Sequence, residues 1–183
     1  KYIVSMRQTG TGLPEKDYYT KTDPSTVKVR EAYKNYISTL FTLTGTEATK
    51  AKQLAEDILA LETQIATSHM GRIEMRNPIA LYNKFATKDF AAKVPNLDLV
   101  NVLTTLRMKT DTIIVAQPKF YEALNEMLPM ANIETLKARL KFSVISGASG
   151  YLSKPFVDAS FEYSGKTLNG QKVQQERWKR ISS

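Results

Sequence analysis

Two apolar stripes at helical spacing constrain this chain more than any other feature. Ala32, Tyr33, Tyr36, Ile37, Leu40 and Phe41 recur at three- and four-residue steps, and so do Ala51, Leu54, Ala55, Ile58, Leu61 and Ile65. Such steps place side chains on one face of a helix. Asp23 is positioned to cap the first helix, Pro24 fits its first turn, and Gly45 is its natural stop. The second helix is expected from about Thr46 to Ser68. A connection this short predicts an antiparallel helix pair.

The remaining signals are shorter. Tyr2 to Arg7 reads as extended, and Gly10, Gly12 and Pro14 break it. Helical patterning resumes after Asp17-Tyr18-Tyr19. Pro78 and Thr87 each read as the start of a short helix, and Leu97 to Arg107 as another. Thr112 to Ala116 is a β-branched run, read as extended. Pro118 to Leu128 is helical and ended by Pro129. Asn132 caps a helix carrying Ile133, Leu136, Leu140, Val144 and Ala148. Pro155 opens one more, and Thr167-Leu168-Asn169-Gly170 turns the chain into a final basic segment. The expected fold is mostly α, an irregular multi-helix bundle with a short extended segment near the N-terminus. The 183 residues suit one helical domain, 1–183, with no repeat or linker dividing it.

Composition removes whole classes of chemistry. There is no cysteine, which excludes disulfides, thiolate metal sites and a cysteine nucleophile. His69 is the sole histidine, so a two-histidine zinc motif is impossible within this chain. It reads as a polar residue near a helix end, where partial positive charge is favourable. Gly147-Ala148-Ser149-Gly150 is no nucleophile elbow, because Tyr151 stands where the second glycine must be. It also lacks the Gly-Lys-Ser/Thr of a phosphate loop, and reads as packing. Gly10-Thr11-Gly12 is a turn without strand–helix context. Glu62 borders an apolar stripe and needs a polar partner, read as a buried or half-buried ion pair. Glu122 and Glu126, one turn apart, read as solvated. The catalytic and metal-ligating assignments from the residues are therefore none.

The net charge of +8 comes from 26 basic residues spread without any run of five or six. That pattern reads as a solvated basic surface. Arg177-Trp178-Lys179-Arg180 is a single basic-aromatic segment and not a nucleic-acid groove. The alternative reading is a stand-alone helical binding module for nucleic acid or an acidic partner. No stretch approaches the roughly 18–20 apolar residues of a membrane span. There is no basic start followed by an apolar run, so no signal peptide is read. The chain opens on Lys1 without methionine and reads as a piece of a longer polypeptide.

Several ordered segments resemble the amino-terminal half of the neprilysin and endothelin-converting-enzyme family of zinc metalloendopeptidases. Gly12-Leu13-Pro14-Glu15-Lys16-Asp17-Tyr18-Tyr19 resembles G-L-P-x-[RK]-D-Y-Y, and Leu61-Glu62-Thr63-Gln64-Ile65-Ala66 is similar to L-E-x-x-I-A. Arg76-Asn77-Pro78, then Leu81-Tyr82-Asn83-Lys84, resembles R-[DN]-P followed by Y-N-K. Leu152-Ser153, Phe156, Phe161 and Trp178-Lys179-Arg180 continue the match. In these segments Arg76 is a candidate partner for Glu62, and Asn77 is expected to cap a helix that Pro78 begins.

The resemblance implies a two-lobed, mostly helical enzyme. Its catalytic lobe holds zinc through H-E-x-x-H and a downstream glutamate, outside this chain. The second lobe encloses the cavity and limits substrate size, and this chain matches much of that lobe. The implied partners are the catalytic lobe of the same polypeptide and peptide substrates, without nucleic acid and without a membrane segment in this chain. Zinc is implied in the parent enzyme, with no cofactor here. No substrate-binding residue of the family carries over. Animal members are disulfide-rich ectodomains, so a cysteine-free chain points to a bacterial parent that is secreted, periplasmic or surface-attached.

Overall fold

The computed structural model describes residues 3–181, with side chains through Lys179. Tyr2 of the extended opening and the Arg180 side chain of the basic-aromatic segment lie outside the described residues. In chain order the elements are β1 (Val4–Met6), α1 (Asp17–Thr20), α2 (Pro24–Leu43), α3 (Ala48–Thr67), β2 (Lys84–Ala86), α4 (Thr87–Lys93), α5 (Leu99–Thr105), β3 (Thr112–Val115), α6 (Pro118–Met127), α7 (Ile133–Ala148), α8 (Lys154–Ser160) and α9 (Arg177–Ile181). Short 3-10 turns fall at Glu74–Arg76, Pro95–Leu97, Leu128–Met130 and Ser149–Tyr151, and a π-helical stretch at Phe161–Leu168. The fold is mostly α, as the periodicity predicts.

The two long helices form where local chemistry places them. Asp23 is extended and its Oδ1 accepts the Thr26 N–H at 3.1 Å, the expected N-cap bond. At the other end Gly45 takes φ of 88°. The Thr46 N–H then bonds the Phe41 carbonyl and the Gly45 N–H bonds that of Thr42, each at 3.0 Å. That pair of bonds is a Schellman stop, and it needs the left-handed residue that glycine supplies without strain. Glu47 starts α3, accepting the Thr49 and Lys50 N–H groups at 2.8 and 3.0 Å.

The chain gathers into two compact units, Lys1–Lys16 with Glu62–Ala131, and Asp17–Leu61 with Asn132–Ser183. The first holds a three-stranded sheet in the order β1-β3-β2. β1 runs parallel to β3 with Val4 opposite Ile113, and β2 runs antiparallel with Phe85 opposite Ile113. Ile113 and Val115 point to one face, as alternation in a strand requires, and join Phe90, Val94, Leu99 and Leu103 in a core. In the second unit, Lys34 of α2 meets Glu56 of α3 at 2.8 Å. The two lie at similar distances from the Gly45 turn, as antiparallel helices demand. Tyr33 and Tyr36 of α2 pack with Phe142 of α7 and Tyr163, with ring centroids 4.8 to 5.9 Å apart.

Some sequence expectations need correction. Pro78 opens a turn and no helix; Asn77 caps that turn, its Oδ1 accepting the Ile79 N–H at 3.0 Å. The chain needs that turn to deliver Lys84–Ala86 into the sheet, an edge strand the sequence did not announce. Leu97 belongs to a 3-10 turn, and α5 begins after Asp98, whose φ is 43°. Pro129 does not end the helical backbone at once, because Leu128–Met130 continues it as a 3-10 turn. Thr167 and Leu168 still belong to the π-helical stretch, leaving the turn to Asn169 and Gly170. Along α7 the buried positions are Ala138 and Phe142, whereas Ile133, Leu140 and Val144 face solvent.

Candidate functional site

A polar cleft lies in the first unit, where the end of α3, the chain leaving β1 and the start of α6 converge. It measures about 550 Å³ and is lined by His69, Lys16, Glu74, Asn83, Gln117 and Lys119 among others. Two glutamines organise it. The Gln8 backbone N–H donates to Gln117 Oε1 at 2.9 Å, while its side chain bonds the Met70 carbonyl at 3.0 Å and the Met70 N–H at 2.7 Å. Tyr121 OH donates to the Arg7 carbonyl at 2.8 Å, and burial pushes its pKa up. These bonds satisfy backbone groups that leave regular structure at the sheet edge.

His69 sits beside them, buried. Its Nε2 lies 3.2 Å from the Thr9 carbonyl, which only accepts, so the proton is on Nε2. Its ring meets Phe120 edge-on with centroids 5.1 Å apart. Lys16 Nζ donates to the His69 carbonyl at 3.2 Å. Burial lowers the His69 pKa below 6.5, and the Lys16 charge adds to that, against the Thr9 bond. The helix-end reading expected a partial positive charge to be welcome here. Desolvation outweighs it, and the imidazole is held neutral.

Glu62 is completely buried. Its Oε2 accepts the Gly12 N–H at 2.9 Å, whereas Arg76, the partner suggested by sequence, is exposed on its 3-10 turn. A backbone N–H of the Gly12 turn, and not the Arg76 guanidinium, therefore meets this carboxyl oxygen. The Gly12–Tyr19 segment is anchored along its length. Glu15 pairs with Arg72 at 3.1 Å, Asp17 with Lys21 at 2.8 Å, and Arg30 donates to the Tyr19 carbonyl at 2.6 Å. Glu122 and Glu126 are exposed, as their spacing suggested. Ser149 is buried and donates to the Ser146 carbonyl at 2.7 Å, a packing role, but nothing stands within 4 Å of where a Cβ would be at Gly147 or Gly150, so these glycines admit no close neighbour there. Trp178 is exposed, its Nε1 bonded to Glu176 at 2.6 Å. Sequence reasoning missed Gln8 and Gln117. Neither lies in a motif, and their meeting across 109 residues leaves no local signal.

The His69 ring meets the Thr9 carbonyl and the Phe120 ring and, among the described residues, pairs with no carboxylate or hydroxyl nucleophile. Among the described residues, no three histidine, aspartate or glutamate side chains are grouped to hold a metal ion. Zinc needs three or four such donors, so the residues present do not fit it.

The model of peptidase family M13 matches residues 1–183. The chain is 27% identical over 194 residues to human membrane metallo-endopeptidase-like 1, covering 98% of itself and 25% of that protein. It is 26% identical over 155 residues to a neutral endopeptidase of Lactobacillus helveticus, covering 84% of itself and 24% of the relative. Among solved structures, the Mycobacterium tuberculosis zinc metalloprotease Zmp1 in complex with inhibitor matches with a TM-score of 0.90 at 27% identity, over 98% of this chain and 28% of that one. Zmp1 in its open state matches with a TM-score of 0.88 at 29% identity, over the same shares. The chain thus spans about a quarter of the length of the curated relatives it matches.

Proposed function

This chain belongs to peptidase family M13, and on that premise we propose that it forms much of the non-catalytic lobe of a zinc metalloendopeptidase. The lobe encloses the active-site cavity, and it admits peptides of modest size while excluding folded proteins. The observation that carries this is the family match across residues 1–183 in a chain whose own donor set does not fit zinc. The catalytic chemistry then belongs to the rest of the parent polypeptide, with zinc bound there. What these residues contribute is a wall. Helices capped and stopped by their own side chains hold a fixed surface, and closure over a bound peptide excludes water from the reaction. Solved structures of Zmp1 carry the descriptions open state and partial open state, which supports a lobe that closes. Among the described residues no helix is long and apolar enough to cross a membrane. We place the parent in a bacterium, secreted, periplasmic or surface-attached, because the chain lacks the cysteines of disulfide-rich animal ectodomains.

The test compares the parent with this chain. The parent is expected to cleave a short quenched-fluorescent peptide, to stop when zinc is chelated, to recover when zinc returns, and to spare a folded protein. The chain alone is expected to show no cleavage and no stoichiometric zinc binding. A parent reading frame with no H-E-x-x-H beyond Ser183 would overturn the reading.

A further inference from the structure

Resting on that reading, we propose that the outward face of α7 is the seat on which the remainder of the parent polypeptide packs. Ile133, Leu140 and Val144 are 61%, 68% and 71% exposed. Steps of seven and four residues put all three on one side of the helix. On the opposite side Ala138 and Phe142 are buried, Phe142 edge-on to Tyr33 and Tyr36. A helix with apolar residues on two opposite sides belongs between two layers, and this chain supplies one of them. Gly147 continues the exposed side, with nothing within 4 Å of where a Cβ would stand. Tyr151, 78% exposed, extends the row beyond the helix. Single exposed apolar side chains are ordinary, but several on one side of a helix, interrupted there by Lys137, are what a solvated surface avoids.

The remainder of the polypeptide is the occupant the observations favour. The Zmp1–inhibitor structure reproduces this fold over 98% of the chain, yet the matched part is only 28% of that protein. The counterpart of α7 there stands inside a much longer chain, with other segments available to cover it. A second copy suits the face poorly. Each copy carries a net charge of +8, so pairing two such faces would bring two strongly basic chains together, although Lys137 on this face is paired with Glu134 at 2.8 Å. The fitting partner is an apolar helix or strand face of the same polypeptide that brings no lysine or arginine opposite Lys137.

Because the chain has no cysteine, Leu140→Cys or Val144→Cys places a single thiol on this row. In the full-length parent, maleimide labelling at either position, located by mass spectrometry, is expected to run at least about tenfold slower in the native state than in denaturant, independent of dilution. Equal native and denatured rates would overturn the proposal. Protection that disappears on dilution would overturn it in favour of a second copy. Hydroxyl-radical footprinting of Leu140 and Tyr151 in the unsubstituted parent reads the same face with the same outcomes, should a cysteine variant fail to fold. Peptidase activity of the parent is assayed alongside. An inactive parent removes the functional reading, whereas an active parent with an open α7 face removes only this inference.

Discussion

The Glu62 carboxylate, buried in α3, accepts the backbone N–H of Gly12 at 2.9 Å across 50 residues of sequence. Loss of this bond strands a polar group away from water. The bond fixes the turn that carries Leu13, itself fully buried. Glu62→Ala is therefore expected to destabilise the protein by about 2–3 kcal/mol, and Glu62→Gln, which keeps an acceptor, by roughly half that. Urea denaturation of the three proteins reads the difference. An alanine variant as stable as the native protein would show that the bond contributes nothing.

His69 makes stability depend on pH. Its folded pKa lies below 6.5, so the folded state favours the neutral ring. The unfolded chain binds the proton first as pH falls. The contribution of His69 is thus complete above 6.5 and is lost as pH drops from 6.5 toward the folded value. The glutamine variant His69→Gln keeps a neutral donor toward Thr9. Melting temperature of the native protein is expected to fall relative to this variant through that window. Parallel curves would remove His69 as the cause. The Ser25 hydroxyl and then Thr26 hold Asp23 below 3.8 by hydrogen bonding, and the Thr49 and Lys50 N–H groups hold Glu47 below 4.5, so their contributions are lost only at lower pH.

Asn132 starts α7 by accepting the Glu134 and Thr135 N–H groups at 2.8 and 3.3 Å. Asn132→Ala leaves those donors to water and is expected to cost about 1 kcal/mol, with Asn132→Asp close to native. Thermal unfolding followed by circular dichroism separates the two. An aspartate variant as unstable as the alanine would mean the side-chain cap is not the source.

Gly165 has no room for a side chain. A Cβ there would stand 2.4 Å from Cδ2 of Phe161, one turn earlier in the π-helical stretch. Gly165→Ala must displace that ring, at a cost of about 1–3 kcal/mol. With Phe161 already truncated to alanine, the same change is expected to be nearly neutral. The coupling between the two positions is the readout. An unchanged penalty in the truncated background would place the strain elsewhere.

The long helices were legible because everything that makes them is local. The stripe from Tyr33 to Phe41, the Asp23 cap and the Gly45 stop all act within a few residues, and the structure uses each of them. Edge strand Lys84–Ala86 was not legible. Three residues carry no alternation to speak of, and pairing with Ile113 and its neighbours, far along the chain, is what makes them a strand. The polar cleft was half legible. His69 and Glu62 stood out by type, but Thr9, Gly12, Gln8 and Gln117 are their surroundings only after folding.

By itself, then, the sequence determined the helical character, the caps, and the exclusion of thiolate and two-histidine metal sites. Those follow from spacing within a turn and from composition, which no fold can alter. Only the tertiary structure decided that Glu62 answers to Gly12 rather than Arg76, that burial keeps His69 neutral, and which side of α7 is inward. Each of these is set by groups distant in sequence. A helix with apolar residues on both sides cannot say which one is the core until its neighbours arrive.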